Sequence, residues 1–156
     1  MNTNPVLEFR RVAPDLLPGL TALFESMVAN EDDEFFHPHP FTAEKAAELC
    51  GYTGQDLYLV AVSGDVALAY GMLRGWDEGY AVPSLGIAVH PSARGTGLGA
   101  AFMQYLHAAA VNRGAKTIRL KVYPHNTKAK SLYEKLGYHS AGESAGQLLY
   151  TLALGK

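Results

Sequence analysis

The stretch at residues 84–113, SLGIAVHPSARGTGLGAAFMQYLHAAAVNR, decides the fold because a strand, a glycine-rich turn and a long helix follow one another directly. Large apolar residues alternate with small ones at its start, so one strand face is bulky and the other lets a ligand lie against the backbone. Pro91 ends the strand because proline has no N–H to donate. Apolar residues at three- and four-residue spacing then predict a helix that begins near Leu98 and passes through Leu106.

The turn between strand and helix carries three glycines at alternate positions, Gly95, Gly97 and Gly99. Without a Cβ in the way, the backbone N–H groups of such a turn can approach a phosphate oxygen closely. The positive end of the helix macrodipole and the preceding Arg94 add favourable charge. A tight turn alone does not need three glycines at this spacing, so we predict a binding site for a phosphate or pyrophosphate group.

Two common phosphate-binding motifs fit this turn poorly. A P-loop needs Lys followed by Ser or Thr after its last glycine, whereas two alanines follow Gly99. A dinucleotide fingerprint needs an acidic residue about twenty positions further on, where this chain carries basic residues such as Arg119. The residues therefore disfavour a nucleoside triphosphate and support a dinucleotide only weakly.

A third motif fits better. Arg94, Gly97 and Gly99 form the pattern Arg/Gln-x-x-Gly-x-Gly/Ala after the strand LGIAVHP, and the segment 126–138, NTKAKSLYEKLGY, follows about thirty residues later. Both motifs, in this order, resemble the Gcn5-related N-acetyltransferase (GNAT) family, whose later motif is a helix with Asn and Tyr that ends in Leu-Gly-aromatic. Two motifs together are more specific than either alone. The resemblance covers residues 82–138, and the first eighty residues are compatible with it.

The resemblance implies an α/β (α+β) fold, with a mixed central sheet flanked by helices and one domain over residues 1–156. It implies acetyl-CoA as co-substrate, with the acetyl carbonyl on a backbone N–H near Val89, which would stabilise the developing oxyanion. Asn126 serves both as a helix N-cap and as part of the cofactor wall. The residues expected to bind the cofactor are Ile87, Ala88, Val89, Arg94, Gly95, Thr96, Gly97, Leu98, Gly99 and Asn126.

Tyr133 is the predicted catalytic residue. A tyrosine at the matching position in the family donates a proton to the departing thiolate of CoA, and a phenol has an unperturbed pKa of about 10. The alternative is a core aromatic that packs between helix and sheet. Tyr138, which follows the Leu-Gly pair, matches the aromatic that fills the core in the family.

The remaining segments predict the other elements of the sheet and its helices. Alternating patterns predict strands over 6–12, 57–62, 66–73, 117–122 and 147–154, and apolar stripes predict helices over 16–27, 43–51 and 126–137. Thr42 is the expected N-cap of the second helix, and Gly51 its end. With the strand and helix of the opening stretch, this order is typical of a single α/β or α+β domain.

The acceptor side is expected at the connection between the first two helices, which borders the acceptor cleft in this fold. An acidic run at 31–34 begins that connection, and it is either a solvated surface or an attraction for a cationic amine. Aromatic residues beside it could hold the carbon frame of the acceptor. The residues expected to bind the acceptor are Phe35, Phe36, His37, His39, Trp76, Asp77 and Glu78.

The general base is not placed on the central strand, where Ser84 is the only polar side chain over residues 82–89. An alkylamine is protonated at neutral pH and must lose a proton before it attacks. The candidates that remain are a water chain or the side chains His37, His39, Asp77 and Glu78. His90 is expected to be a surface histidine.

Composition limits the class of protein. The 156 residues are 48% hydrophobic and 18% charged, as in an ordinary globular domain, and a net charge of −2 gives no electrostatic footprint for nucleic acid. A lone Cys50 excludes an internal disulfide framework, and no histidine or cysteine cluster has metal-ligand spacing. Apolar runs of membrane-spanning length and a signal-type N-terminus are absent. We expect a cytoplasmic monomer or homodimer without a nucleic-acid or membrane partner.

These patterns predict acetyl transfer from acetyl-CoA to a primary amine of a small molecule, such as an amino sugar or a polyamine, by direct attack in a ternary complex. One alternative is a non-catalytic acyl-CoA-binding or regulatory module on the same scaffold, which would keep the cofactor site but not need Tyr133. Another is an enzyme that acetylates a protein or peptide amine. The sequence leaves the identity of the acceptor open.

Overall fold

The computed structural model describes residues 4–32 and 36–155. Phe35 and two members of the acidic run, Asp33 and Glu34, lie outside the described residues. The elements in chain order are β1 (Leu7–Arg11), α1 (Leu17–Ala29), α2 (Ala43–Cys50), β2 (Leu57–Ser63), β3 (Val66–Arg74), β4 (Ser84–Val89), α3 (Leu98–Asn112), β5 (Thr117–Val122), α4 (Thr127–Lys135), β6 (His139–Ser144) and β7 (Gln147–Ala153).

The strands of the described residues form one mixed sheet in the order β1-β2-β3-β4-β5-β7-β6. Neighbouring strands run antiparallel, with the exception of β4 and β5, which are parallel at the centre. The predicted architecture, a mixed sheet flanked by helices, is confirmed. The helix after Thr42 is confirmed as well, since the Thr42 side chain accepts a hydrogen bond from the Lys45 N–H at 3.1 Å.

Helices cover both faces of this sheet. On one face α3 packs Phe102 and Leu106 against Gly71 of β3, and on the other α1 and α2 pack around Phe24 and Tyr70. Successive strand residues point to opposite faces. In β4 the side chains of 85, 87 and 89 therefore face α3, while those of 84, 86 and 88 face α1 and α2.

The two central strands part soon after they meet. Ser84 and Arg119 are the paired residues of β4 and β5, whereas β4 pairs with β3 along all six of its residues. The His90 N–H donates to the Leu68 carbonyl of β3 at 2.8 Å. In an antiparallel ladder every second residue is bonded to the neighbouring strand, so positions 84, 86, 88 and 90 bond to β3. The backbone groups at positions 87 and 89 therefore point away from β3. They face the gap that opens between β4 and β5.

One strand has no counterpart among the predicted elements. The sequence predicts no strand between α4 and β7, and this prediction is wrong because β6 pairs with β7 there. All six residues of His139–Ser144 are exposed, so the segment carries no buried alternation that would mark it as a strand. Edge strands of this kind are held by backbone pairing, which a side-chain pattern does not report.

Candidate functional site

A cleft of about 950 Å³ lies where β4 and β5 part. One end is formed by the glycine turn, the start of α3 and the start of α4. The other end is formed by the β3–β4 connection, and the α1–α2 connection runs between the two ends, since its Asp32 pairs with Arg94 and its Pro38 carbonyl accepts from Arg74. The gap between the strands thus joins the predicted cofactor side and the predicted acceptor side in one space.

The glycine turn has the geometry of an anion site. Gly95 and Gly97 have φ angles of +75° and +88°, which L-residues rarely adopt, and a Cβ built on either would meet nothing within 4 Å. Gly97 is the N-cap of α3 and offers no side-chain cap, and the Ala101 N–H makes the first bond back to it. The amides of the first helical turn therefore lack helical partners and can bind phosphate oxygens. This arrangement fits the diphosphate of acetyl-CoA.

Thr96 and Leu98, also predicted to bind the cofactor, are not among the residues that line the cleft. The Thr96 hydroxyl donates to the Ala93 carbonyl, and the Leu98 side chain is buried in the core beneath α3. The cofactor could contact these two residues only through their backbone amides, which belong to the turn.

Arg94 connects this turn to the acidic run. Its Nε donates to the Val89 carbonyl at 3.1 Å, and its Nη2 lies 2.8 Å from Oδ1 of Asp32. The other carboxylate oxygen of Asp32 is buried and has no hydrogen-bond partner within residues 4–32 and 36–155. Arginine has five N–H donors, so further donors remain for an anion in the cleft. Of the two described residues of the acidic run, Glu31 and Asp32, Asp32 is the one that lines the cleft.

The backbone of β4 supplies polar groups to the gap. Four backbone groups face the gap, namely the N–H and the carbonyl of Ile87 and of Val89. Arg94 donates to the Val89 carbonyl, so the Val89 N–H and both groups of Ile87 remain without a strand partner. Ile87, Ala88 and Val89, which are predicted to bind the cofactor, all line the cleft. An N–H in this position can donate to a ligand carbonyl in a water-poor space.

The start of α4 brings the second motif to the same cleft. Asn126 lines the cleft and caps the helix, with its Oδ1 accepting from the Ala129 N–H at 3.4 Å. Tyr133 also lines the cleft, half-buried, and burial raises the pKa of its phenol to about 12. The phenol therefore keeps its proton throughout the neutral range. Tyr138 is buried in the core as expected, with its hydroxyl 2.7 Å from Nε2 of His107.

The structure brings three of the predicted acceptor residues, Phe36, His37 and Glu78, to the cleft. The Phe36 ring lies over Gly86, where an added Cβ would come within 2.7 Å of it. His37 is exposed, and its Nε2 lies 3.1 Å from the Tyr123 hydroxyl. Glu78 is exposed on the β3–β4 connection. Among the predicted general bases, His37 and Glu78 are therefore the two that can reach an acceptor.

Three other predicted acceptor residues do not line the cleft, because each is engaged elsewhere. His39 Nε2 lies 2.8 Å from the Tyr70 hydroxyl. Desolvation by burial is the main cause that lowers the pKa of the His39 imidazole. Asp77 accepts from the Tyr52 hydroxyl and the backbone N–H of residue 55, and these bonds lower its pKa. Trp76 packs against the core and stacks on a guanidinium 4.9 Å from the centre of its ring.

The cleft also contains basic residues that were not predicted as site residues, namely Arg74, Arg119, Lys121 and Lys128. A signal for two of them was present in the sequence. Arg119 and Lys121 alternate with buried apolar residues in β5, which lies inside the sheet between β4 and β7. Charged side chains on such a strand point to its less buried face and must meet solvent, a cavity or a partner there, since burial without any of these is costly.

The sheet opens between two central parallel strands, with a glycine turn and a helix N-terminus at the opening, and this geometry fits the acyl-CoA-dependent transferase that the two motifs predict. The chain matches the acetyltransferase (GNAT) family over residues 24–138, well over half of its length, and it belongs to that family. It is an acetyltransferase that uses acetyl-CoA and acts on amines.

Solved structures show the same fold. A GCN5-related N-acetyltransferase from Kribbella flavida is 24% identical, with 95% of this chain and 98% of that chain covered and a TM-score of 0.76. The ribosomal-protein-S18-alanine N-acetyltransferase from Escherichia coli is 20% identical, with 97% and 96% covered and a TM-score of 0.71. The PaiA N-acetyltransferase from Thermoplasma acidophilum, in complex with coenzyme A, is 15% identical, with 95% and 99% covered and a TM-score of 0.73.

Two further observations concern the part of the chain that the structure describes. Over residues 4–32 and 36–155, no helix has the length and apolar character needed to cross a membrane. Within the same ranges, no group of three or more histidine, cysteine or acidic side chains is placed to hold a metal ion.

Proposed function

We propose that the protein acetylates a primary amine of a small molecule by direct attack in a ternary complex. The observation that carries this proposal is the single cleft lined both by the glycine turn and by Phe36, His37 and Glu78. A concave space with an apolar wall and a few polar groups is typical of a small-molecule site. Both substrates can occupy it together, as direct transfer requires.

Acetyl-CoA supplies the activated acetyl thioester. In the proposed arrangement the amides of the glycine turn and of the first turn of α3 hold the diphosphate, and Asn126 forms part of the wall beside it. The Val89 N–H donates to the carbonyl oxygen of the acetyl group and stabilises the negative charge that develops there. A preorganised donor of this kind contributes about 3 kcal/mol to the lowering of a barrier.

Tyr133 assists the departure of the thiolate. A phenol with a pKa of about 12 is a weaker acid than a thiol of pKa about 8.5, and full proton transfer is uphill by roughly 5 kcal/mol. Tyr133 therefore acts first as a hydrogen-bond donor to the sulfur as charge develops on it. Bound substrates also desolvate the thiolate, which raises the pKa of the thiol and narrows this gap. Because the phenol stays protonated, the donor is present over the whole neutral and mildly alkaline range.

The proton of the acceptor ammonium leaves toward His37 or Glu78, directly or through water. Both side chains line the cleft and both are exposed, so they can exchange the proton with solvent. The β4 strand itself offers no carboxylate or imidazole for this step, since its side chains are serine, glycine and apolar residues. An exposed base suits an acceptor that enters from solvent already protonated.

Replacement of Tyr133 by Phe tests this function because it removes one hydroxyl and little volume. With a panel of small amines and release of CoA thiol as the readout, Tyr133→Phe should lower kcat by about 10²–10³-fold, the effect typical of a lost hydrogen-bond donor to developing charge. Calorimetric CoA affinity should stay within twofold of the wild type, since the phenol is not expected to hold the diphosphate.

Tyr105→Phe is the matched control, since Tyr105 lies on the surface of α3, is 42% exposed and does not line the cleft. It should leave kcat unchanged. An unchanged kcat in Tyr133→Phe, under conditions where chemistry limits the rate, would contradict the role of Tyr133. CoA release with proteins or peptides but with no small amine would overturn the proposed acceptor class.

A further inference from the structure

Two arginines lie on one face of the sheet, at the end of the cleft near Ser84. Arg74 of β3 is opposite Ser84 of β4, and Ser84 is opposite Arg119 of β5. Residues paired across neighbouring strands point to the same face, and the strands are about 4.8 Å apart. The Cα atoms of the two arginines are therefore about 10 Å apart by this spacing. Lys121, two residues further along β5, lies on the same face.

These cations have no counter-charge in the part of the chain that the structure describes. The ion pairs over residues 4–32 and 36–155 join Arg10 to Asp15, Lys45 to Glu48 and Arg94 to Asp32. Nη1 of Arg74 donates to the carbonyl of Pro38 at 3.0 Å. Nε of Arg119 is buried and has no hydrogen-bond partner among the described residues. A buried charged donor without a partner is costly, so its retention requires an explanation such as a ligand.

The described lining of the cleft is cationic, although the chain carries a net negative charge. That lining contains five arginine or lysine side chains and two carboxylates, those of Asp32 and Glu78, whereas the chain carries a net charge of −2. One of those carboxylates already pairs with Arg94. A cleft of this kind attracts an anion and repels a polycation.

The diphosphate of the cofactor does not account for Arg119. Ser84 and Val89 are the first and last residues of β4, so about 17 Å of strand separates the arginine from the end at which the glycine turn follows. The arginine, moreover, lies on the face that carries Phe36 and the α1–α2 connection, through its pairing with Ser84. Arg119 therefore belongs to the acceptor side of the cleft.

We propose that the acceptor is an amine that also carries a carboxylate, and that Arg119 binds this carboxylate. The proposal rests on the proposed function, since it names the acceptor of the same cleft. The Nε–H and one Nη–H of a guanidinium point the same way and match the two oxygens of a carboxylate. Arg74 and Lys121 add positive charge beside them. An amino-acid-like acceptor fits this site, whereas polyamines and aminoglycosides carry only like charge into it.

A matched acceptor panel with the wild-type protein gives the first test. Each set contains an α-amino acid, its carboxamide and the corresponding decarboxylated amine, and the panel also includes spermidine and a tripeptide amide. CoA thiol release should give a kcat/KM at least tenfold higher for a carboxylated acceptor than for its carboxamide. Equal or faster use of the carboxamide, spermidine or the tripeptide amide would overturn the carboxylate site and leave acetyl transfer standing.

Arg119→Gln gives the second test. It should abolish the preference for the carboxylated acceptor through a higher KM, while the KM for acetyl-CoA stays unchanged. Arg119→Lys should restore part of the preference, because the charge returns without the planar pair of donors. Lys116→Gln is the control, because it removes the same charge at a residue that is exposed and does not line the cleft. A preference that persists in Arg119→Gln would refute the assignment.

Binding without turnover separates the two proposals. Calorimetry with CoA present and an N-acetyl amino acid as product analogue should detect binding that Arg119→Gln weakens at least tenfold. Such binding without CoA release from any amine would support the carboxylate site and contradict acetyl transfer to small amines. Absence of both binding and turnover across the panel would overturn both proposals.

Discussion

Alanine at Gly97 should weaken CoA binding far more than the same change at a glycine of matched conformation elsewhere. Gly97 has a φ angle of +88° and faces open space in the cleft, where an added Cβ would meet nothing of the protein within 4 Å. The methyl group would therefore occupy space that we assign to the diphosphate. Loss of one or two charge-assisted bonds, each about 1.5–3 kcal/mol, predicts a CoA dissociation constant raised at least tenfold.

Gly114 supplies a control with the same backbone strain. It follows α3 at its other end, has a φ angle of +86°, and likewise has no atom within 4 Å of an added Cβ. Alanine at either glycine costs about 1–2 kcal/mol of stability, because the left-handed conformation is unfavourable for L-residues. Both variants should thus lose a few degrees of Tm, by roughly similar amounts. Only Gly97→Ala should lose CoA affinity.

The assay is calorimetric titration with CoA at a temperature well below the lower of the two Tm values. Gly99→Val extends the series, because Gly99 lies within α3 and an added Cβ would meet only Val89 Cγ2, at 3.6 Å. It should weaken CoA binding with no loss of Tm, since glycine is itself a poor helix former. CoA affinity equal in Gly97→Ala and Gly114→Ala would refute the placement of the diphosphate at this turn.

Three further outcomes are expected. Phe36→Ala should raise the acceptor KM about tenfold without salt dependence, because about 50 Å² of apolar contact contributes roughly 1.3 kcal/mol. An equal rise in the acetyl-CoA KM would count against Phe36 as an acceptor-binding residue. Asp32→Asn should tighten CoA binding severalfold at low salt and less at high salt, since it frees Arg94 of its carboxylate; titrations unchanged at both salt concentrations would show that Arg94 does not face the diphosphate. Burial lowers the pKa of His107, so the unfolded chain binds its proton more readily and the free energy of unfolding should decrease as the pH falls below about 6.5. Denaturant titrations of His107→Gln should show this slope reduced by up to about 1.4 kcal/mol per pH unit, whereas an unchanged slope would rule out the histidine as its source.

The parts of the fold that depend on neighbouring residues could be predicted from the sequence. The caps at Thr42 and Asn126 are local, because each side chain bonds an amide three residues further on. The glycine turn is local as well, since positive φ angles and the adjacent helix start lie within a few residues. Tyr133 lines the cleft because its helix begins at the Asn126 cap and its spacing from that cap is fixed.

What could not be predicted depends on register between distant strands. The chain separates Arg74 from Arg119 by 45 residues, and only the pairing of both with Ser84 brings them together. The partners of His39 and Asp77 lie 31 and 25 residues away, and these contacts hold both side chains away from the cleft. A pattern of residue types shows that a charged or aromatic side chain needs a partner. It does not show which distant residue supplies it.

In the proposed mechanism, each end of the gap between β4 and β5 binds a different substrate. At the end that follows Val89, the amides of the glycine turn bind the diphosphate, and at the end near Ser84, Arg119 binds the carboxylate of the acceptor. An anionic group held at each end fixes both substrates by their non-reacting parts, with the thioester and the amine between them. Binding energy from such remote groups contributes to the orientation of the reacting atoms. The strands must stay apart for this arrangement, because continued pairing would occupy the Val89 N–H that we assign to the acetyl carbonyl.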